Sequence, residues 1–211
     1  MEITEYRGVE GLVYAEVTKD DTEEYTTGTV KELAGVAEIS RTTESSSEPH
    51  YYDNMPAVVI ESTGSDEVTC TTSAIPMNVL ADITGQVYDE ATDMFIEGAR
   101  ESKYFALGYK TKKTNGEEIL VWRLKGTFSI PESTHATEDD GTDANGQEVT
   151  FTGISTTHKF TKTNKGAKAI NVNGTSGKAN VSTFFNTVQT PDSITAANTL
   201  SSNTQKAVSS K

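Results

Sequence analysis

Apolar and polar residues alternate with a period of two along much of the chain. In the segment 11–18, Val13, Ala15 and Val17 fall on one face, and the opposite face, which holds Leu12, is mixed. Because successive side chains of a strand point to opposite faces, this pattern predicts a strand with one buried side. Comparable patterns predict three further strands, at 36–42, 149–156 and 168–172.

Two pairs of strand-like segments are separated by turn residues. The segments 57–62 and 66–72 flank Thr63-Gly64-Ser65, which predicts a hairpin with its turn at those three residues. The segments 104–111 and 118–125 flank Asn115-Gly116. Asn-Gly accepts the positive φ that both central positions of a type I′ turn require, so a second hairpin is predicted there.

Helical signals are few. The segment 76–83 begins with Pro76, has apolar residues at helical spacing and is followed by Gly85, a pattern typical of a short helix. A second short helix is predicted at 180–188, where Phe184 and Val188 would anchor it to the sheet.

Three regions do not resemble regular elements. Residues 43–56 read as a long polar loop with two tyrosines, and residues 131–147 read as an acidic loop. After residue 190 the chain becomes rich in Ser, Thr, Ala and Asn. Such a segment cannot repay the entropy of its own ordering, so we expect a flexible tail at 191–211 and a β domain at 1–190.

Composition narrows the class of function. The 211 residues include 18 basic and 31 acidic side chains, for a formal net charge of −13. Contacts to phosphates need clustered Lys and Arg, so this charge argues against a general nucleic-acid binder and against an anionic-lipid surface. Cys70 is the single cysteine, which excludes an internal disulfide and a thiolate-rich zinc site. No signal peptide or membrane span is recognisable, so we expect a protein made in the cytoplasm.

The sequence holds no recognisable catalytic or metal-binding pattern. His50, His135 and His158 form no metal-spaced pair, and no Ser, Thr or Cys lies in a nucleophile motif. The glycine-containing segment 141–146 lacks the lysine of a phosphate loop and the carboxylates of a calcium loop. We therefore expect no enzymatic activity, cofactor or metal.

Six short segments, taken in order, carry a resemblance to a known family. They are YRGVEGLVYA (6–15), GVAEIS (35–40), TESSSEPHYYDN (43–54), YFALGYK (104–110), KGTF (125–128) and TFTG (150–153). In this order and spacing they resemble the major tail proteins, or tail tube proteins, of phages with long non-contractile tails. The resemblance covers about residues 1–190.

The resemblance implies a mostly β protein, with a β-sandwich or barrel-like tail-tube fold and one or two short flanking helices. It implies homo-hexameric rings that stack into a tube, through which DNA passes without specific binding. The expected location is the phage tail of the virion, assembled in the host cytoplasm, with the tape measure and terminator proteins as further partners. The loop 43–56 is the candidate contact between subunits, through Ser45, Glu48, Pro49, His50, Tyr51 and Tyr52.

Charge is consistent with that role, and two alternatives remain open. A charge of −13 on each copy would keep the bore of a ring repulsive to DNA, so we expect acidic side chains to line it.

One alternative function is that of a tube protein of a contractile tail or related injection machine. The other is a carbohydrate-binding or adhesive β-sandwich, whose candidate aromatic residues are Tyr51, Tyr52, Tyr104, Tyr109 and Trp122.

Overall fold

The computed structural model describes residues 3–137 and 145–197. Within these ranges the protein is mostly β with one short helix, as the alternating pattern predicts. In chain order the elements are β1 (Tyr6–Asp20), β2 (Tyr25–Thr27), β3 (Lys31–Glu32), β4 (Val36–Tyr52), β5 (Met55–Thr72), α1 (Met77–Thr84), β6 (Val87–Asp89), β7 (Met94–Ile96), β8 (Phe105–Lys113), β9 (Glu118–Phe128), β10 (Glu132–Ser133), β11 (Gln147–Gly153) and β12 (Ala169–Asn173).

Ten of the described strands form one antiparallel sheet. Its main path runs β2-β1-β8-β9-β11-β5-β4, and β3, β10 and β12 pair with β1, β11 and β9 respectively. The sheet curls, so that β4 at one end of this path comes back beside β1. The strands β6 and β7 form a separate hairpin next to α1.

Both faces of the central strands are buried. The face inside the curl packs against α1 and forms the inner core, made of Leu12, Tyr14, Leu33, Val68, Cys70, Ile75, Ile83, Phe105, Leu107, Tyr109, Val121, Phe128, Val149 and Phe151. The other face forms the outer core beneath the segment 154–197, made of Ala15, Ala106, Leu120, Trp122, Leu124, Phe160, Phe184 and Val188. The sequence predicts the two faces of β1 correctly, but the side holding Leu12 is buried rather than mixed.

The outer layer is fastened to the sheet by polar contacts. The Trp122 Nε1–H donates to the Phe184 carbonyl at 2.8 Å. The Asp20 carboxylate accepts the backbone N–H groups of Thr157 and His158, at 2.8 and 2.9 Å, and lies 2.6 Å from the Lys125 ammonium. Burial raises the pKa of Asp20, but these donors outweigh burial and hold that pKa below its usual value.

Helix α1 is confirmed, and the second predicted helix is wrong. The chain leaves α1 through Gly85, which adopts a left-handed φ of 65°. Residues 180–188 instead form turns, with Phe184 N–H bonded to the Val181 carbonyl. The Asn180 side chain bonds Ser182, and such local side-chain bonds compete with a helical ladder. The anchoring roles of Phe184 and Val188 are nevertheless confirmed.

The hairpin at Asn115-Gly116 is confirmed, but its turn type is not. Only Gly116 has a positive φ, of 86°, whereas a type I′ turn needs two such residues. The Gly116 N–H bonds the Lys113 carbonyl, and the Lys113 N–H bonds the Glu117 carbonyl. The loop is therefore three residues long, and the Asn115 side chain supports it by accepting the Glu117 N–H at 3.1 Å.

The predicted loop at 43–56 is wrong, and so is the predicted turn at Thr63-Gly64-Ser65. Both regions belong to one long hairpin, in which β4 and β5 pair from Val36–Thr72 out to Tyr52–Met55. Its turn is Asp53-Asn54, with φ values of 51° and 61°. The Ser- and Glu-rich run of β4 has no apolar periodicity, so the sequence does not reveal that β5 pairs with it.

The remaining two irregular regions lie partly outside the described residues. In the loop 131–147, β10 pairs with the start of β11, and residues 138–144 are outside the described ranges. In the predicted tail, residues up to 197 are described. There the Ala197 N–H bonds the Lys178 carbonyl, and the Thr195 carbonyl accepts the Asn180 N–H. Residues 198–211 lie outside the described ranges.

At Gly126 the packing of the strands leaves no room for a side chain. A Cβ there would lie 2.4 Å from the Thr152 carbonyl oxygen and 2.5 Å from the Phe151 ring. We expect Gly126→Ala to lower the free energy of unfolding by about 1–3 kcal/mol, because the crossing of β9 and β11 must open to admit the methyl group. Gly98→Ala is the matched control, since nothing lies within 4 Å of its Cβ position. Equal urea midpoints for the two variants would contradict this account.

Candidate assembly surface

The outer half of the β4–β5 hairpin projects from the body of the protein. We call residues 44–64 the arm, because every one of them is exposed. From Thr43 to Tyr52 the strand advances nine residues, which gives the arm a length of about 30 Å. Both edges of the arm are unpaired among the described strands. The arm therefore has two open edges and two open faces.

Large apolar side chains cover both faces of the arm. The pairing register places one set on one face and a second set on the other, with a bulge at Ala57. Tyr51, Tyr52 and Met55 near the tip are 63%, 65% and 67% exposed. The first face carries Pro49, Tyr51, Pro56 and Val59, and the second carries His50, Tyr52, Met55, Val58 and Ile60.

Such a ribbon is not expected to remain solvated. An isolated two-stranded hairpin is marginally stable in water, and an open apolar edge strand invites pairing with another chain. Soluble monomers rarely leave a large contiguous apolar surface exposed, so a patch of this kind marks an interaction site. The arm is consequently the part of the described chain best suited to bind a partner on both sides.

All six predicted contact residues lie on the arm and are exposed: Ser45, Glu48, Pro49, His50, Tyr51 and Tyr52. The structure adds Met55, which the sequence placed in the loop 43–56, and Val58, Val59 and Ile60, which it placed in an ordinary strand at 57–62. Asp-Asn at residues 53–54 is the signal that could have revealed them, because both residue types tolerate the positive φ of a two-residue hairpin turn.

A buried ion pair holds the base of the arm to the body. The Arg123 guanidinium on β9 donates to Asp66 on β5, and both side chains are buried. Lys168, next to β12, lies 3.4 Å from the same carboxylate and also donates to the Gly64 carbonyl. Burial raises the pKa of Asp66, but the hydrogen bond from Thr43 and the charges of Arg123 and Lys168 outweigh it and leave the pKa lowered.

A groove opens beside the base of the arm. It has a volume of about 620 Å³ and lies where the inner core ends, between the start of β1, β4 and the β8–β9 hairpin. Tyr6, Val9, Ile39 and Tyr109 form apolar walls, and Arg41 and Arg123 add positive charge. The groove is thus apolar with a cationic side.

The aromatic and titratable candidates do not converge on a second site. Trp122 and Tyr109 belong to the cores, while Tyr104 is exposed beneath the Lys125 ammonium, 4.7 Å from the ring centre. Burial raises the pKa of the Cys70 thiol to about 12, so it stays protonated as a small core residue.

The three histidines lie on separate parts of the chain. His50 is on the arm, His135 follows β10, and His158 packs edge-on against Phe160. Within residues 3–137 and 145–197, no group of three His, Cys, Asp or Glu side chains could hold a metal ion. No helix in those same ranges is long and apolar enough to cross a membrane.

No protein-family model and no curated protein matches the sequence.

Proposed function

We propose that this chain is the structural protein of a phage tail tube, which assembles into stacked hexameric rings. The observation that carries the proposal is the arm, which is exposed on both faces and both edges and which contact with neighbouring copies would cover. The resemblance of residues 1–190 to tail tube proteins supplies the kind of assembly. The location proposed is therefore the virion tail, and the partners are further copies, the tape measure protein and the terminator protein.

Ring closure gives the open strands a partner. The end strand β4 and the end strand β2 present unpaired edges among the described strands. A closed ring with one repeated contact pairs such edges without leaving a new one exposed. The proposal assigns no catalytic activity, cofactor or metal to the chain.

Charge suits passage of DNA through such a ring. Each copy carries a net charge of −13, and duplex DNA carries one negative charge for about every 1.7 Å of its axis. A bore lined by acidic side chains would repel the duplex and let it slide. We propose that the bore is acidic, and a tube in which most bore-facing charges are Lys or Arg would contradict this point.

The carbohydrate-binding alternative is weakened by the position of its aromatic residues. A flat surface that binds a sugar needs its aromatic rings on one face, but Tyr51 and Tyr52 point to opposite faces of the arm. Trp122 and Tyr109 are buried and unavailable. A contractile-tail tube protein would use the same arm, so assembly with a sheath protein would distinguish that alternative.

The test is electron microscopy of the purified protein in negative stain, with its mass followed by light scattering over a series of concentrations. We expect rings or long hollow tubes and a mass that rises with concentration. A protein that stays monomeric at every concentration and binds to immobilised glycans would contradict the proposal and assign a binding module instead.

A further inference from the structure

The groove at the base of the arm contains an unsatisfied buried donor. Arg123 is only 3% exposed, and its Nε–H has no hydrogen-bond acceptor among the described residues. Its Nη1 is already engaged by Asp66. Because this N–H has no exposed surface, an acceptor from outside the subunit does not reach it, and the unpaired cation that a second copy can reach lies elsewhere on the groove wall.

The groove also carries one exposed cation, Arg41, that is not paired within the described residues. Arg41 lies on β4 two residues from Ile39, so both side chains point to the same face, toward the groove. Arg41 has no ion-pair partner within the described ranges, and Glu38 is the one acidic residue on the groove wall. An occupant that fits is apolar and carries a carboxylate.

The tip of the arm has that chemistry. Asp53 occupies the turn with a left-handed φ, so its carboxylate lies at the far end of the hairpin. Tyr51, Tyr52 and Met55 surround it with exposed apolar surface. Because the arm is about 30 Å long, its tip cannot reach the groove at its own base, and the occupant must come from a second copy.

We propose that the arm tip of one copy docks in the groove of the next copy, with Asp53 facing Arg41. This inference rests on the proposed function, since it names the surface that receives the arm. The contact joins two different patches, tip and base, so it is heterologous and repeats in one direction. It predicts an offset between successive copies of about 30 Å, the length of the arm.

A charge exchange tests the docking. Asp53→Arg and Arg41→Glu each place like charges together at the proposed contact, and the double variant restores opposite charges. We expect each single variant to lower tube yield and self-association at least about tenfold, and the double variant to return to within about threefold of the parent. Asp53 and Arg41 are exposed, and thermal melts verify that all variants are folded. Glu90→Arg, an exposed acidic residue between β6 and β7, is the matched control and is expected to behave as the parent.

Tube yield is measured by electron microscopy and self-association by sedimentation velocity, so the two proposals fail separately. Tubes that form equally well in both single variants would overturn the docking and leave the tube function standing. Single variants that fail without rescue in the double variant would overturn the pairing of Asp53 with Arg41. A parent that self-associates without forming tubes, yet responds to the exchange, would overturn the tube function alone. A parent that never self-associates would overturn both.

Discussion

Removing the arm is expected to abolish tube formation while the body stays folded. In the variant, residues 44–65 are replaced by Asn-Gly, so that Thr43 and Asp66, which already pair across β4 and β5, flank a two-residue turn. Every removed residue but one is exposed, and a short loop costs less closure entropy than a long one. We expect the free energy of unfolding to change by less than about 1 kcal/mol.

The assembly defect follows from the loss of the only large two-faced apolar surface that the described residues present. Electron microscopy and sedimentation of the trimmed protein provide the measurement, alongside a urea titration. A trimmed protein that forms tubes as readily as the parent would remove the arm from the assembly interface. A trimmed protein that unfolds would instead make the arm part of the fold.

A triple variant and its control separate the contribution of apolar contact to assembly from the contribution of the length of the strands. Tyr52→Ser, Val58→Ser and Ile60→Ser together remove apolar area from one face of the arm, and we expect them to suppress tubes almost as fully as its removal. Ser47→Thr is the matched control, because it changes an exposed polar residue of the arm that is not a candidate contact, and Thr favours strands. The control is expected to assemble like the parent.

The second large effect concerns the ion pair at the base of the arm. We expect Asp66→Asn to lower the free energy of unfolding by about 3–5 kcal/mol, because it leaves the buried Arg123 guanidinium without its counter-charge. Small domains are stable by about 5–15 kcal/mol in total, so this single change leaves the protein marginal. The measurement is a urea titration at neutral pH, analysed by linear extrapolation.

Two comparisons make that result specific. Glu67→Gln alters the neighbouring carboxyl, which is exposed on the opposite face of β5, and is expected to change stability by no more than about 0.5 kcal/mol. Adding Arg123→Met to Asp66→Asn removes the unpaired guanidinium charge and is expected to recover part of the lost free energy of unfolding. An Asp66→Asn variant as stable as the Glu67→Gln variant would show that the pair contributes little.

Local patterns were sufficient where a segment's own residues decide its structure. The alternation in β1 and β9, the Pro76 and Gly85 that bracket α1, and the Asn115-Gly116 hairpin could all be predicted, because each depends on neighbours in sequence. The candidate contact residues at 45–52 belong to a strand rather than to a loop, and their part in a contact between subunits stays a prediction.

What the sequence by itself determined is therefore a mostly β, acidic protein with a short helix after Pro76 and without a recognisable catalytic pattern, while only the structure showed that residues 180–188 form turns instead of a second helix. Tertiary structure alone decided the register of the β4–β5 hairpin, since a polar run becomes a strand only when a partner strand lies beside it. It alone joined Asp66 to Arg123, which are 57 residues apart along the chain. It also placed the groove beside the base of the arm, because contacts between distant segments leave no local signal in the sequence.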